Sequence, residues 1–354
     1  MNWPKNESFE GRHADGSNIV GMTAIVSPRR KDSHSHACFQ RRWGKAMSFI
    51  KKRPYLLFLL PGFLIYSLFV VYPIVAAGSI SFFRWNGIGP KTFIGFDNYV
   101  ELFTSTELMS QFWNAMLNSL RIFALTVLVV IPVQIIAAYL IHNQVKGYKY
   151  FRVAVFSPQF ISTPVIVFIF TLLLDSNVGV FNKVLEMVGL GEYVRPWLGL
   201  PQYGIYIVWL MISWSGFGVG MIFFLGAMKM ISKESLEAGY LDGAGFWKRL
   251  FVIILPQMKV TILNMVLITY IVSMTIFDFS FILGGVSGGV DHNVDVMALM
   301  FYRIAFGESN NPLGGNISEN AMGLGSTVAC VLFVLIFVIS MFQVWLTYRR
   351  REEA

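Results

Sequence analysis

The sequence has 354 residues, of which 55% are hydrophobic and 14% are charged, and its mean hydropathy is +0.59. Soluble domains carry about 25% charged residues, so the low charge of this chain excludes a soluble globular enzyme. Its high hydrophobic content excludes a disordered chain, and its composition excludes a collagen-like chain. The net charge of +8 would indicate nucleic-acid binding in a soluble protein, but in a membrane protein it reflects which loops face the cytoplasm. The composition therefore predicts an all-α polytopic membrane protein, surrounded by lipid, with no nucleic acid among its partners.

Stretches free of charge and histidine indicate where the chain crosses about 30 Å of hydrocarbon. Six are found: 54–83, 122–141, 153–174, 196–228, 260–277 and 320–348. The fifth reaches spanning length only by taking in Asp278. Because the runs are continuously apolar, we expect six transmembrane helices and no barrel. Pro132, Pro158 and Pro164 should kink or interrupt the second and third spans.

Positive charge predicts the orientation. Of the 28 Lys and Arg residues, 22 lie in 1–53, 142–152, 229–259 and 349–354. Since basic loops stay inside, we expect a multi-pass membrane protein with both termini in the cytoplasm. Residues 1–50 are expected to be a disordered cytoplasmic tail and 51–354 the transmembrane domain. One alternative is that translation begins at Met47.

Motifs for chemistry are absent from the sequence. It contains no G-x-x-x-x-G-K-[ST] loop, no Cys and His set with zinc spacing, and no clear nucleophile–base pair. We therefore expect no catalytic residue, no metal and no cofactor bound by this chain. Gly216, Gly218 and Gly220 lie inside an apolar run, without the preceding strand that a dinucleotide site needs, and indicate either close helix packing or a loosened helix.

The most informative segment is the charged loop 232–257, between the fourth and fifth spans. Its pattern predicts two short helices. Ser232 can cap the first, Glu237 suits a positive helix N-terminus, and Asp242-Gly243 can end it. A second helix is expected from Trp247 to Leu255. Such a hairpin lying against the membrane is suited to act as a lever for a partner protein.

This loop resembles a known family. Glu237-Ala238-Gly239, then Gly243 after three residues and Ile253-x-Leu255-Pro256 after nine more, matches the spacing of the EAA loop of ABC importer permeases. Phe93-Ile94-Gly95-Phe96-Asp97-Asn98-Tyr99 is similar to a stretch of carbohydrate-importer permeases of the maltose and glycerol-phosphate type. The resemblance covers roughly residues 54–348, with its core at about 112–348, and implies the type I (MetI-like) permease fold.

The resemblance also implies a location in a bacterial plasma (inner) membrane and a set of partners. These are a second homologous permease, a dimer of ABC ATPase subunits that use ATP and Mg, and an extracytoplasmic solute-binding protein. The ATPase would dock on the loop, which implies coupling roles for Glu237, Ala238, Gly239, Asp242, Gly243, Leu255 and Pro256. The alternative for Glu237 is a solvated carboxylate at a helix start.

Candidates for the substrate path come from residue chemistry, since sugars bind aromatic faces and polar groups. Trp209, Ser213, Gly216 and Phe217 share one helical face. Asp278 would have to line a cavity, form a pair or lie near the outer interface, because a carboxylate within a span is costly. The alternatives are aromatic packing and hydrogen bonding between helices. The expected path residues are Ser213, Gly216, Phe217, Tyr270, Ser273 and Asp278.

The expected function is thus the membrane-spanning subunit of an ABC importer for a carbohydrate or oligosaccharide. One alternative keeps the permease and changes the cargo to glycerol phosphate, a polyamine or another polar metabolite. A phosphate compound would favour buried Arg or Lys, and a polyamine several carboxylates, whereas only Asp278 is evident. Another alternative is a secondary transporter or channel that works alone.

Overall fold

The computed structural model describes residues 55–307 and 319–352, so the predicted tail 1–50 lies outside the described residues. The described chain is mainly helical, with one two-stranded antiparallel sheet in which Phe83 of β1 (Phe83–Arg84) faces Phe93 of β2 (Thr92–Phe93). The α-helices are α1 (Tyr55–Tyr66), α2 (Tyr72–Ile80), α3 (Asp97–Thr104), α4 (Thr106–Leu125), α5 (Ile131–His142), α6 (Tyr148–Phe156), α7 (Thr163–Leu173), α8 (Val180–Met187), α9 (Pro201–Lys229), α10 (Lys233–Leu241), α11 (Phe246–Lys248), α12 (Leu255–Gln257), α13 (Lys259–Thr275), α14 (Asp278–Gly284), α15 (Met297–Tyr302) and α16 (Ala321–Glu352).

Short π-helical and 3₁₀ segments join several of these helices. The π-helical segments are Ser67–Val71, Thr126–Val130, Arg249–Ile254 and Arg303–Gly307, and the 3₁₀ turns are Ser157–Phe160, Gly191–Tyr193 and Val290–His292. The chain divides into two compact units, one ending at Leu68 and one beginning at Phe69. In the first unit the described residues form α1 and the start of the first π-helical segment.

Five described helical stretches are long and apolar enough to cross a membrane: Phe58–Ile80, Thr106–His142, Pro201–Lys229, Lys259–Gly284 and Ala321–Thr347. A sixth crossing is obtained only if Tyr148–Phe160 and Thr163–Leu173, bent by 105° relative to each other, form one span. The structure therefore agrees with five or six spans by length and composition. The second spanning helix starts at Thr106, whereas the predicted span starts at residue 122. The prediction began late because it used only charge-free sequence, and Glu107 and Arg121 are charged.

The third predicted span is the bent pair, and its prolines account for the break. Pro158 lies in the 3₁₀ turn after α6, and Pro164 lies in the first turn of α7, where a missing N–H costs nothing. Ile161 and Ser162 between them are extended. The expected interruption is thus confirmed here. Pro132 instead follows a π-helical segment, and its helix continues to His142.

The fifth span includes Asp278, as its length required. Helix α13 ends at Thr275, Ile276 is extended, and α14 begins at Asp278. Gly285, with φ +66°, follows the last residue of α14. The apolar helical segment Met297–Gly307 beyond it was not predicted, because it is too short to span a membrane.

One end of the second unit gathers the basic loops, and we call it the basic end. Its core contains Ala138, Tyr139 and Ile141 of α5, Phe224 and Met228 of α9, Leu250 and Ile254 of the 232–257 loop, and Met258 directly after that loop. The C-terminal ends of α5 and α9 therefore share one apolar core with that loop. Burial of such side chains contributes about 1.5–3 kcal/mol each, so these contacts hold the loop against α5 and α9.

The opposite end is held by buried asparagines. Asn98, which is fully buried, donates through Nδ2 to the carbonyls of Ser81 (2.7 Å) and Phe83 (3.0 Å), and accepts from Asn320 Nδ2 (2.7 Å). Tyr99 Oη lies 2.9 Å from Ser81 Oγ. The Phe93–Tyr99 motif thus ties the sheet and α3 to the segment entering α16.

The glycines of α9 confirm the expectation of helix packing at two positions. A β-carbon at Gly218 would lie 2.7 Å from the Cα of Phe156, so α6 and α9 touch backbone to backbone. A β-carbon at Gly220 would collide with the side-chain amide of Gln134. At Gly216 the same position is open, because this residue borders a cavity.

Candidate functional site

A cavity of about 360 Å³ lies between α4, α5, α9 and α13, and we call it the central cavity. Its volume falls within the roughly 300–1,000 Å³ of small-molecule sites. Apolar side chains alternate on its wall with neutral hydroxyl and amide groups, and none of the described residues that line it is charged. The polar members are Thr126, Gln134, Gln159, Ser213, Thr269 and Ser273. This wall can offer hydrogen bonds to a neutral, hydroxyl-rich molecule.

Three of the predicted path residues are brought together here. Ser213 and Gly216 of α9 face Ser273 of α13 across the central cavity. Ser273 is 3% exposed, so it lies deep in the wall. The open space beside Gly216 shows why a larger residue there would narrow the cavity.

The other three predicted path residues lie elsewhere. Phe217 lines a neighbouring apolar groove, and its backbone carbonyl accepts a hydrogen bond from Gln134 Nε2. Tyr270 turns away, with its ring 5.5 Å from that of Phe123 and its hydroxyl donating to the carbonyl of Leu335 (3.5 Å). Asp278 is exposed at the first turn of α14.

Four polar residues of the cavity were missed by the sequence analysis: Thr126, Gln134, Gln159 and Thr269. Gln134 is 6% exposed and donates from Nε2 to the carbonyl of Phe217 (3.1 Å). Uncharged amides inside apolar spans are costly and face a protein interior or cavity. Gln134 and Gln159 are the glutamines of predicted spans 122–141 and 153–174, and this signal could have found them.

The neighbouring apolar groove is larger, about 710 Å³, and lies between α5, α6 and α9. Ser213 borders both spaces. Trp209 Nε1 and Ser213 Oγ are buried and have no hydrogen-bond partner among the described residues. Ser213 therefore offers a polar group where the groove meets the central cavity, and Trp209 offers one on the wall of the groove.

The first arm of the 232–257 loop is α10, and it starts as predicted. Ser232 Oγ accepts from the backbone N–H of Ser235 (3.3 Å), which confirms the N-cap. Glu237 and Ala238 are exposed on this helix, whereas Gly239 is buried against the side chain of Ile253. The carboxylate of Glu237 is therefore available to a partner.

The second arm runs from Phe246 to Gln257 and is partly π-helical, which was not expected. The turn between the arms uses Asp242 and Gly243, and Gly243 has φ +67°, so the predicted helix stop is confirmed. The guanidinium of Arg249 lies 3.7 Å from the ring centroid of Tyr240 and joins the two arms. Leu255 is half-buried, and Pro256 is exposed just before α13.

Several apolar helices around a neutral polar cavity, with an exposed helical hairpin at the basic end, define a multi-pass membrane transport component. Residues 117–352 match the family described as the inner membrane component of binding-protein-dependent transport systems. The match covers more than half of the chain, so the chain belongs to this family. Its members transport solutes and are not enzymes, and they are multi-pass membrane proteins, as the sequence predicted.

Individual relatives agree with this assignment. The chain is 30% identical to the probable ABC transporter permease protein YurN of Bacillus subtilis, over 85% of this chain and 97% of the relative. It is 28% identical to the arabinooligosaccharides transport system permease protein AraP of Halalkalibacterium halodurans, over 83% and 87% of the two chains. A solved bacterial ABC transporter involved in alginate import superposes with a TM-score of 0.70 at 24% identity, over 86% of this chain and 99% of that one. That last likeness shows a shared fold.

Proposed function

We propose that this chain is the membrane-spanning permease of an ATP-driven importer for an oligosaccharide or another neutral carbohydrate. The observation that carries the proposal is the central cavity, whose wall holds hydroxyl and amide groups but no charged side chain among the described residues. A cargo with many hydroxyl groups satisfies such a wall. The name of its relative AraP, which refers to arabinooligosaccharides, supports the same class of cargo.

Charged cargoes fit this cavity less well. Glycerol phosphate would leave two negative charges without a cation in the described wall, and a polyamine would lack carboxylates. An unpaired charge in a low-dielectric site costs several kcal/mol. Membership of a binding-protein-dependent family disfavours a transporter or channel that works alone.

The proposed assembly has this chain beside a second permease, with an ATPase dimer below and a solute-binding protein above. The basic end would face the cytoplasm, because its loops carry Lys and Arg. The exposed hairpin at that end would receive the ATPase. The path would run through the central cavity, past Ser213, Gly216 and Ser273, with Asp278 near its outer end.

The cargo class is tested with the complex that co-purifies with this chain, reconstituted in proteoliposomes with its binding protein. Uptake of labelled arabinotriose, maltotriose, glycerol 3-phosphate and putrescine is measured with and without internal ATP. We expect ATP-dependent uptake of a sugar and none of the two charged compounds. Uptake of putrescine or glycerol 3-phosphate with no sugar uptake would overturn the carbohydrate assignment.

The docking role of the hairpin is tested by Glu237→Lys, with Glu234→Lys as the matched control. Both residues are exposed on α10, so the charge change is the same, but only Glu237 occupies the coupling position. We expect Glu237→Lys either to abolish co-purification of the ATPase or to lower the amount of sugar taken up per ATP hydrolysed at least tenfold. Full coupled uptake in Glu237→Lys would remove this hairpin from the coupling step.

A further inference from the structure

Tyr139 of α5 lies where the hairpin meets the spans. Its side chain is 1% exposed, and its hydroxyl donates to the backbone carbonyl of Phe246 at the start of the second arm (3.0 Å). The two rings also pack, with centroids 4.4 Å apart. Tyr139 does not line the central cavity, and its buried side chain is not on the surface that α10 exposes to a partner. It is therefore a contact between the hairpin and a span, without being part of either candidate site.

The hairpin behaves as one body in its contacts. Ala244 N–H donates to the carbonyl of Gly239 (2.9 Å), and Arg249 stacks on Tyr240 across the arms. Leu250 and Ile254 of the second arm are each 1% exposed, in the core that contains Tyr139. A force applied to the first arm thus reaches the second arm and then α5.

The same helix also reaches the central cavity. Gln134, five residues before Tyr139 and about 7.5 Å away along the axis, donates to the carbonyl of Phe217 on α9 and lines the cavity. The segment Ile131–His142 is a single α-helix, so its two contacts move together. One short rigid rod therefore joins the hairpin to the cavity wall.

We propose that Tyr139 is the positioning residue through which the hairpin moves α5, and that Gln134 is where this movement reaches the substrate path. The inference rests on the proposed function, since it assumes that an ATPase drives the hairpin. Packed helices switch between discrete arrangements as rigid bodies, and a hydrogen bond to a backbone carbonyl fixes the register of the hairpin on α5. Losing this bond removes a directional contact between the hairpin and α5, so less of the movement of the hairpin would reach α5.

The test uses Tyr139→Phe, which keeps the ring and the burial but removes the hydroxyl. Tyr148→Phe is the matched control, because Tyr148 packs against the same core and no hydrogen bond of its hydroxyl is seen among the described residues. The readout is a reporter cysteine, Ser213→Cys, in a chain with Cys38→Ser and Cys330→Ala. Its labelling rate by a small maleimide is compared in the assembled complex before and after trapping with ATP and vanadate.

We expect the labelling rate to change at least fivefold on trapping in the parent chain and in Tyr148→Phe. In Tyr139→Phe we expect less than a twofold change, with ATP hydrolysis and ATPase content retained. A response in Tyr139→Phe equal to that of the parent would overturn the inference and leave the proposed function standing. A parallel loss of ATPase content would also count against it, because it would indicate a merely structural role. Absence of any ATPase in the parent complex would instead contradict the proposed function.

Discussion

Asp295 and Arg303 form an ion pair at the end opposite the basic end, with Nη2 and Oδ2 2.6 Å apart. The Asp295 side chain is fully buried, whereas that of Arg303 is 14% exposed and also donates to Gln111 Oε1 (3.1 Å) and the carbonyl of Ser287 (3.4 Å). The carboxylate thus depends on Arg303 more than Arg303 depends on the carboxylate. The pair joins the segment before α15 to the π-helical segment after it, and Arg303 also contacts α4 through Gln111.

This asymmetry gives a prediction for two substitutions. Arg303→Gln leaves a buried carboxylate without its cation and should lower the free energy of unfolding by about 3–5 kcal/mol. Asp295→Asn removes the buried charge and leaves a partly exposed guanidinium with two other acceptors, so it should not lower the free energy of unfolding. Thermal unfolding of the detergent-solubilised variants compares them. Equal losses in the two variants would show that Asp295 has other support.

The same carboxyl predicts a pH dependence. Burial raises the pKa of Asp295 above its ordinary value, and the Arg303 hydrogen bond and charge only partly oppose this. The folded chain therefore holds this proton more tightly than the unfolded chain. The resulting stability is complete below the ordinary aspartate pKa of about 3.9 and is lost as the pH rises through the raised value. Unfolding temperatures of wild type and Asp295→Asn should thus converge at low pH, whereas a constant difference at all pH values would contradict the shift.

At the scale of the helices, the sequence predicted where the helices lie but only partly which of their faces meet the cavity. Charge-free runs identified every long helix in the described part of the chain, since lipid requires apolar surfaces. They could not show which face of a helix meets a cavity, because the polar residues of α13 lie on more than one of its faces. Tyr270 and Ser273 both looked suitable, and only packing against Phe123 and Leu335 turns Tyr270 away from the cavity. Gln134 and Gln159 of the cavity wall could have been predicted, because an amide side chain within a membrane span is costly unless it faces a protein interior or a cavity.

The contact of α6 with α9 gives a prediction at this scale. Gly218→Ala places a methyl group 2.7 Å from the backbone of Phe156, where nothing flexible can yield, and should destabilise the chain by about 1–3 kcal/mol. Gly226→Ala is the matched control on the same helix, because its β-carbon would meet nothing within 4 Å. Unfolding temperatures in detergent give the comparison. If both variants matched wild type, α6 and α9 would not touch at this position.

In the whole molecule, the hairpin could be predicted from the sequence much better than the substrate path. The spacing of the hairpin motif revealed the family, and the structure explains it: Gly243 makes the turn, and buried Gly239 lets Ile253 approach. The path depends on how helices far apart in sequence converge, which local patterns do not encode. Ser213, Gly216 and Ser273 converge on the central cavity, while Phe217, Tyr270 and Asp278 do not line it. The link through Tyr139 could be seen only in the folded chain.

The central claim is that this chain forms a path but is driven by a separate ATPase. The most direct test is to measure ATP hydrolysis and arabinotriose uptake in proteoliposomes that contain the purified chain alone, and then in proteoliposomes that contain its co-purifying complex with the binding protein. The account predicts neither activity for the chain alone, and both activities for the complex, with uptake dependent on internal ATP. Nucleotide turnover or concentrative uptake by the chain alone would contradict it.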